Sequence, residues 1–281
     1  MRRSKLAASL LRLRRGGALI GEIPAVVMPA TAASAYGIAD EIVAALEPTL
    51  GAVSGYKIGA TSEAGQRMLH LEEPFYGRVF GSCILASGKG WSIEGPGCSV
   101  EAEVGFVIGR TLAPRREPYS EAQVRGAVAR VVPLLEINRP AYAKPFSAGG
   151  LCLIADNGVT RALVRTQAGR ALGRLSFRNE TVSVAQNGRA VAAGGAVVVM
   201  GDPLHAVTWL ANVLSRQGRS LRAGDVVASG AMTPPIAVLA GDVIVATYST
   251  LGKVKVMLQS PANRARVMRA REECIWPLAV R

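Results

Sequence analysis

The sequence predicts an α+β fold: one strand-rich domain with a few flanking helices. Three observations carry this. The run Val100-Glu101-Ala102-Glu103-Val104-Gly105-Phe106-Val107-Ile108 alternates as a strand does, with Ala102, Val104, Phe106 and Ile108 on one face and Glu101 and Glu103 on the other. Thr181 to Val191 sets Asn187-Gly188 between two alternating stretches, the two-residue signature of a hairpin. Helices and strands do not alternate in the βαβ manner, and neither GxGxxG nor GxxxxGK[ST] occurs in a phosphate-binding context.

Taken in order, Ser4 caps a short helix reaching Arg15, with Leu6, Leu10 and Leu13 on one face and Gly16 ending it. Its functional reading is a basic membrane-surface anchor; the simpler reading is a helix packed on the domain or on a neighbouring subunit. Thr31 to Leu46 forms a second helix, with Ile38, Ile42 and Leu46 four apart and Pro48 as the stop. Gly55-Tyr56-Lys57-Ile58-Gly59 reads as a short strand, 62–70 as one or two helical turns, and Glu72 to Gly77 as a loop. After the Glu-x-Glu strand, Pro114 to Pro118 is a connector. Ser120-x-x-Gln123 then opens a helix carried by Val124, Val128 and Val131 and ended by Pro133. Leu134-Leu135-Glu136-Ile137 emerges as a strand, and 138–158 reads as loop.

Beyond the hairpin, Ala196 to Met200 reads as a buried strand. Asp202-Pro203 supplies cap and first turn for a helix striped by Val207, Leu210, Ala211 and Leu214 and stopped at Gly218. Ala223-Gly224-Asp225-Val226 and Ala240-Gly241-Asp242-Val243 each turn into a strand, and Lys253 to Leu258 closes the set. The organisation expected is an N-terminal helical region (1–54), a catalytic β-rich domain (55–260) and a basic tail (261–281).

Composition narrows the classes. Among 281 residues, 49% are hydrophobic and 19% charged, which allows a sizeable core and excludes general disorder. The formal charge is +13, concentrated at the ends: Arg2, Arg3, Lys5, Arg12, Arg14 and Arg15 in front, Arg264, Arg266, Arg269, Arg271 and Arg281 behind. No basic run interleaves with aromatics, so a nucleic-acid partner is not expected; the charge fits a solvated surface that steers small anions. Cys83, Cys98, Cys152 and Cys274 include no CxxC pair. No apolar run reaches about 18 residues, and arginines interrupt the apolar part of the N-terminus. These features predict a cytoplasmic protein without a membrane partner.

The chemistry starts from Glu101 and Glu103. On a strand they project together, about 7 Å apart. Adjacent anions on a half-buried surface repel, so either the face is solvated or a cation lies between them. Glu136 is a second anomaly, a carboxylate inside an apolar strand; such groups are paired or bind metal. Three carboxylates without His or Cys are hard oxygen donors that select Mg²⁺ or Mn²⁺. An octahedral ion so held keeps about three positions open. A 2-oxo acid fills two of them with a carboxylate and a keto oxygen. Lys57 would offset the remaining negative charge and draw in an anionic substrate.

An ordered set of motifs then resembles a known family. Gly55-Tyr56-Lys57-Ile58-Gly59, Tyr76-Gly77, Val100-Glu101-Ala102-Glu103, Leu135-Glu136-Ile137, Ala155-Asp156-Asn157, Gly201-Asp202-Pro203-Leu204 with Trp209-Leu210-Ala211, and Ser229-Gly230-Ala231 follow the order seen in 2-keto-4-pentenoate hydratases of the fumarylacetoacetate hydrolase superfamily. The resemblance covers about residues 31–258. It implies a mixed β-sandwich or roll with flanking helices, a homo-oligomer, and Mg²⁺ or Mn²⁺ held by Glu101, Glu103 and Glu136. It further implies Lys57 as an acid/base or substrate-binding group, Asp156 as site support, and Ser229-Gly230 near the substrate carboxylate, with Tyr76 at the substrate. An Asx-type turn is the structural alternative for Asp156-Asn157. The activity implied is hydration of 2-hydroxypenta-2,4-dienoate to 4-hydroxy-2-oxopentanoate in aromatic catabolism.

Two departures bear on that activity. Phe75-Tyr76-Gly77 stands where such hydratases read Asp-Tyr-Gly, and Gly149-Gly150-Leu151-Cys152 lacks an acid expected before Ala-Asp-Asn. Three rivals follow. Decarboxylation of a 2-oxo-hexenedioate needs a cation for the second carboxylate, with Arg78 and Arg139 as candidates. Hydrolysis of an acylpyruvate needs a His–Glu base, for which His70 with Glu73 has the spacing, whereas His205 reads as structural. The non-enzymatic rival is a basic surface-binding protein on a degenerate enzyme fold, recognised by a steep salt dependence on generic DNA.

Overall fold

The computed structural model describes residues 4–14, 19–21, 23–93, 95–145 and 147–261. Helices α1 (Lys5–Arg14) and α2 (Ala32–Leu50) precede β1 (Val53–Gly59), α3 (Glu63–Leu69), β2 (Phe75–Phe80), β3 (Ile84–Ala86), β4 (Gly90–Ser92) and β5 (Ser99–Ile108). Then come α4 (Glu121–Arg125), β6 (Val128–Asn138), α5 (Gly150–Ala155), β7 (Thr160–Arg165), β8 (Thr181–Gln186) and β9 (Arg189–Gly195). The chain closes with α6 (Pro203–Arg216), β10 (Val226–Ala231), β11 (Ile236–Ala237), β12 (Val243–Tyr248) and β13 (Gly252–Gln259). The expected basic tail lies outside the described residues from 262 on, as do Arg15 and Gly16.

Short polar side chains fix where the helices begin. Thr31, Ser62, Ser120 and Asp202 each accept a hydrogen bond from a first-turn N–H, at 3.2, 3.1, 3.3 and 2.8 Å. Each such cap is worth about 1 kcal/mol. Ser4 does the same for Ala7. On α6, Leu204, Val207, Leu210, Ala211 and Leu214 are buried, and the helix packs on β10.

Five local expectations need correction. The stretch 138–158, expected as loop, contains the short helix α5 (Gly150–Ala155). Pro48 does not stop α2; it sits in the last turn, where one N–H is lost, and the helix ends at Gly51, whose positive φ of 79° suits glycine. The helix capped by Ser120 ends at Arg125, and Val128 to Asn138 is a strand running through Pro133. Val131 exchanges backbone hydrogen bonds with Arg170, so Pro133, two residues on, turns its missing N–H to that same side, where β7 ends at Arg165. Residues 72–77 are not all loop: β2 begins at Phe75. Ala196–Val198 is a 3₁₀ turn, not a strand, with Val197 and Val198 about half exposed.

Two mixed sheets result. The larger runs β2-β1-β10-β5-β6-β7-β3, with β11 added to β5; the smaller runs β4-β13-β12-β8-β9. β1 lies parallel to β10, β3 to β7 and β4 to β13, while the other pairs are antiparallel. β13 packs on β6 and β7, joining the sheets. The Tyr248 hydroxyl reaches from the smaller sheet to the backbone carbonyls of Glu103 (2.6 Å) and Leu134 (2.9 Å). It braces the larger sheet where the acidic residues project.

Candidate metal centre

The register of β5 on β6 sets Glu101 directly opposite Glu136, and Glu103 opposite Leu134. Cross-strand partners share a face, so the period-two alternation of one strand and the pairing of the next bring three carboxylates together. One oxygen from each of Glu101, Glu103 and Glu136 lies within 4.8 Å of the others. Glu103 and Glu136 are fully buried; Glu101 is partly exposed at the mouth.

Lys57 reaches in from β1, with Nζ 3.2 Å from Glu136 Oε2 and 5.4 Å from the centre of the Phe75 ring. Burial pulls the ammonium down, but Glu136, Glu101 and Glu103 outweigh it, and its pKa ends above the ordinary lysine value. Burial, and then Glu136, pushes the Glu101 carboxyl up to about 7. The Glu103 carboxyl is also raised, by burial and then by Glu136 and Glu101. One lysine does not balance three acids.

The donors present fit a hard dication. Glu103 Oε1 and Glu136 Oε1 are buried without any hydrogen-bond donor. The remaining oxygens are held in place: Asn138 Nδ2 donates to Glu101 Oε2 (3.0 Å) and Glu136 Oε2 (3.1 Å), and the Gly230 N–H donates to Glu103 Oε2 (2.7 Å). Gly230 takes φ 125°, and a Cβ there would collide with Thr61. Oriented carboxylates with free lone pairs aimed at a common point are what a metal requires and what an apo-like anion cluster cannot otherwise satisfy.

Lys57, Glu101 and Asn138 line a cavity of about 300 Å³. Its walls are apolar at Met68, Leu69, Phe75, Leu153 and Val198, with hydroxyls at Thr61, Ser99 and Thr233. Thr233 Oγ1 is buried without a partner. Lys57 is the only Lys or Arg among the described residues of this lining.

Several residues singled out from sequence lie elsewhere. β2 pairs Gly77 with Lys57 and Tyr76 with Ile58, so Phe75 and Gly77 share the lysine's face while Tyr76 and Arg78 point away. Tyr76 stacks on Tyr36 at 4.6 Å and donates to Gln217, and Arg78 pairs with Asp40. Ser229 Oγ donates to the Val104 carbonyl, and Gly230 serves Glu103, so neither lines the cavity. Asp156 is fully buried behind it, accepting from Arg14 (2.9 Å) and the Ala141 N–H (2.9 Å). Arg139 lines a different cavity. His70 closes α3 in a left-handed conformation and does not line the cavity, while Glu73 accepts from Trp209; His205 pairs with Glu121 on the surface. Asn138 was the residue missed. Its signal was available: two residues after Glu136 on one strand, it shares that glutamate's face.

The turn behind Lys57 is strained. Asn157, Gly158 and Val159 take φ of 50°, 71° and 61° in succession. Left-handed backbone is costly for a β-branched residue, about 1–3 kcal/mol. A Cβ on Gly158 would lie 2.9 Å from Lys57 Cδ. The Asn157 side chain pins the turn by bonding both the N–H and the carbonyl of Arg78.

Residues 81–259 match the family model for the fumarylacetoacetate (FAA) hydrolase C-terminal domain. This chain belongs to that family. A 2-keto-4-pentenoate hydratase of Paraburkholderia xenovorans is 33% identical over 211 residues, 74% of this chain and 77% of the relative. A 4-oxalocrotonate decarboxylase of Pseudomonas putida is 31% identical over 231 residues, 80% and 84% of the two chains. Among solved structures, the 4-oxalocrotonate decarboxylase of Pseudomonas putida G7, complexed with magnesium and adipate, superposes with TM-score 0.80 at 26% identity. That match covers 92% of this chain and 98% of the other. The fold is the family's α+β arrangement, and the relatives are enzymes of dienoate and oxo-acid chemistry by name.

Proposed function

We propose that this chain is a divalent-metal-dependent hydro-lyase for a small 2-oxo or 2-hydroxydienoic acid, hydrating 2-hydroxypenta-2,4-dienoate to 4-hydroxy-2-oxopentanoate. One observation carries the reading: three carboxylates, two of them fully buried, converge beside a single lysine at one end of a cavity with mostly apolar walls. Glu101, Glu103 and Glu136 would hold Mg²⁺ or Mn²⁺. When bound, the ion supplies Lewis acidity toward the 2-oxygen of the substrate.

The protein's own groups do the rest. Lys57, 3.2 Å from Glu136 Oε2, acts as the ammonium in the dienol-to-enone step: it gives a proton to C5 and takes one back from the 2-hydroxyl. Water then adds at C4 and its proton is taken up at C3, with the hydroxyls of Thr61, Ser99 and Thr233 available to orient it. Phe75 occupies the position of the acid found in the hydratases this chain resembles, so these hydroxyls and Lys57 take over the polar work. Asn138 and the Gly230 N–H keep the carboxylates aimed.

Decarboxylation of a 2-oxo-hexenedioate is the second reading, supported by the TM-score of 0.80 to such an enzyme. The cavity chemistry weighs against it. The cations nominated for a second carboxylate, Arg78 and Arg139, are turned elsewhere, and the distal walls are apolar. A His–Glu base for acylpyruvate cleavage is likewise missing from the described lining.

The test is a substrate panel: 2-hydroxypenta-2,4-dienoate, 2-oxo-hex-3-enedioate and an acylpyruvate, each with Mg²⁺, Mn²⁺ or EDTA. Metal-dependent loss of dienoate absorbance with formation of the 4-hydroxy acid is expected. Carbon dioxide release from the diacid at a higher kcat/KM would transfer the assignment to the decarboxylase.

A further inference from the structure

A second cavity, of about 310 Å³, lies on the opposite face of β6. Ile137 lines it, while Glu136 and Asn138, its neighbours along the strand, face the metal centre. Three guanidinium groups stand at this cavity: Arg14, Arg139 and Arg161. Arg78 is also at the wall, but its charge is taken by Asp40. Among the described residues, the carboxylate paired with these groups is Asp156, which accepts from Arg14 and lies 3.8 Å from Arg161 Nη2. Arg139 is 6% exposed, and among the described residues the one hydrogen bond of its guanidinium is a long one, 3.5 Å, to the Pro96 carbonyl. Arg161 Nη2 is buried with no hydrogen-bond partner.

Among the described residues, three cations, Arg139 buried and Arg14 and Arg161 partly so, stand against one anion, a surplus of positive charge. Such groups are stable inside a protein only when paired. Burial, then the neighbouring Arg14, pulls the Arg161 guanidinium down to about 9, a sign of the same imbalance. The rest of the lining is apolar, from Leu46, Phe80, Trp91 and Ile93. Guanidinium forks above an apolar floor suit a planar carboxylate on a hydrophobic body better than a phosphate, which would leave that floor bare.

We infer that the cavity formed by Arg14, Arg139 and Arg161 is a second binding site, separate from the metal centre, for a small organic carboxylate with an apolar, aromatic-sized body. Arg139 and Arg161 grip the carboxylate, and Trp91 and Ile93 cover the ring.

Calorimetry with benzoate on the full chain in EDTA tests this. Without metal the acidic cavity repels anions, so binding there does not contribute, and the result is independent of turnover. One benzoate per chain is expected. Its affinity should fall about tenfold or more in Arg139→Met and in Arg161→Met, and should be unchanged in Glu101→Gln. Circular dichroism establishes that each variant is folded; should Arg161→Met fail to fold, Arg139→Met alone decides. No binding by the metal-free chain, or wild-type affinity in folded Arg139→Met, would overturn the site. Binding of inorganic phosphate in preference to benzoate would overturn the carboxylate assignment.

Discussion

The two cavities back onto opposite faces of one strand and carry opposite imbalances. Among the described residues, three carboxylates on one side share one lysine; on the other, three arginines stand with one aspartate, which pairs with Arg14 and Arg161. The acid side can be relieved by a small dication because its free oxygens converge within 4.8 Å. The arginine side has no such focus. Its groups are broad, planar and spread around an apolar floor, which calls for a larger, flatter counter-ion. Similar magnitudes of uncompensated charge thus imply different ligands, and the geometry of the charged atoms decides which.

The comparison can be broken most sharply at Glu136. Glu136→Gln removes a proposed metal ligand and the partner of Lys57 together, and turnover of the dienoate at fixed Mn²⁺ should fall about 10³-fold or more. A wild-type rate would mean the acids are not a metal centre. Lys57→Ala should lower kcat by roughly 10²–10⁴-fold while Mn²⁺ binding, followed by electron paramagnetic resonance, persists. Loss of both together would make the lysine a structural counter-ion rather than a proton carrier.

The arginine side is sharpened by Arg14→Ala. It leaves the buried Asp156 with the Ala141 N–H and, as a cation among the described residues, the distant Arg161, and urea unfolding should report a loss of about 3–5 kcal/mol. Turnover per folded molecule should stay near wild type, because Arg14 does not touch the metal centre. Asn138→Ala has the mildest expected effect. The glutamates keep their charge but lose the amide that aims two of them, so the Mn²⁺ dissociation constant should rise roughly 10–100-fold. An unchanged constant would mean that strand pairing alone orients the acids.

The acid side was legible in the sequence because it is built from strand periodicity. Glu101 and Glu103 alternate with four apolar residues, and Glu136 stands out in an apolar run. The arginine side was not legible. Arg14, Arg139 and Arg161 come from a helix, a loop and a strand, and no spacing links them. The resemblance placed Tyr76 at the substrate, and Arg78 was a candidate cation for a second carboxylate; as part of β2, alternation turns both away from Lys57. Val124, Val128 and Val131 fit a helical stripe, yet valine favours strands, and the stretch from Val128 pairs with β5. The Asp202-Pro203 and Asn187-Gly188 signals, whose causes are local, matched the structure.

The left-handed turn at 157–159 is a party wall only one residue thick in places. Val159 looks into one chamber, and Asn157 and Thr160 into the other. Gly158 presses on the lysine stem, while the preceding Asp156 anchors the arginines. Neither room can therefore be refurnished alone. A lineage that altered the aspartate or the glycine to suit one occupant would inherit a disturbance next door, so changes here are viable only as matched sets.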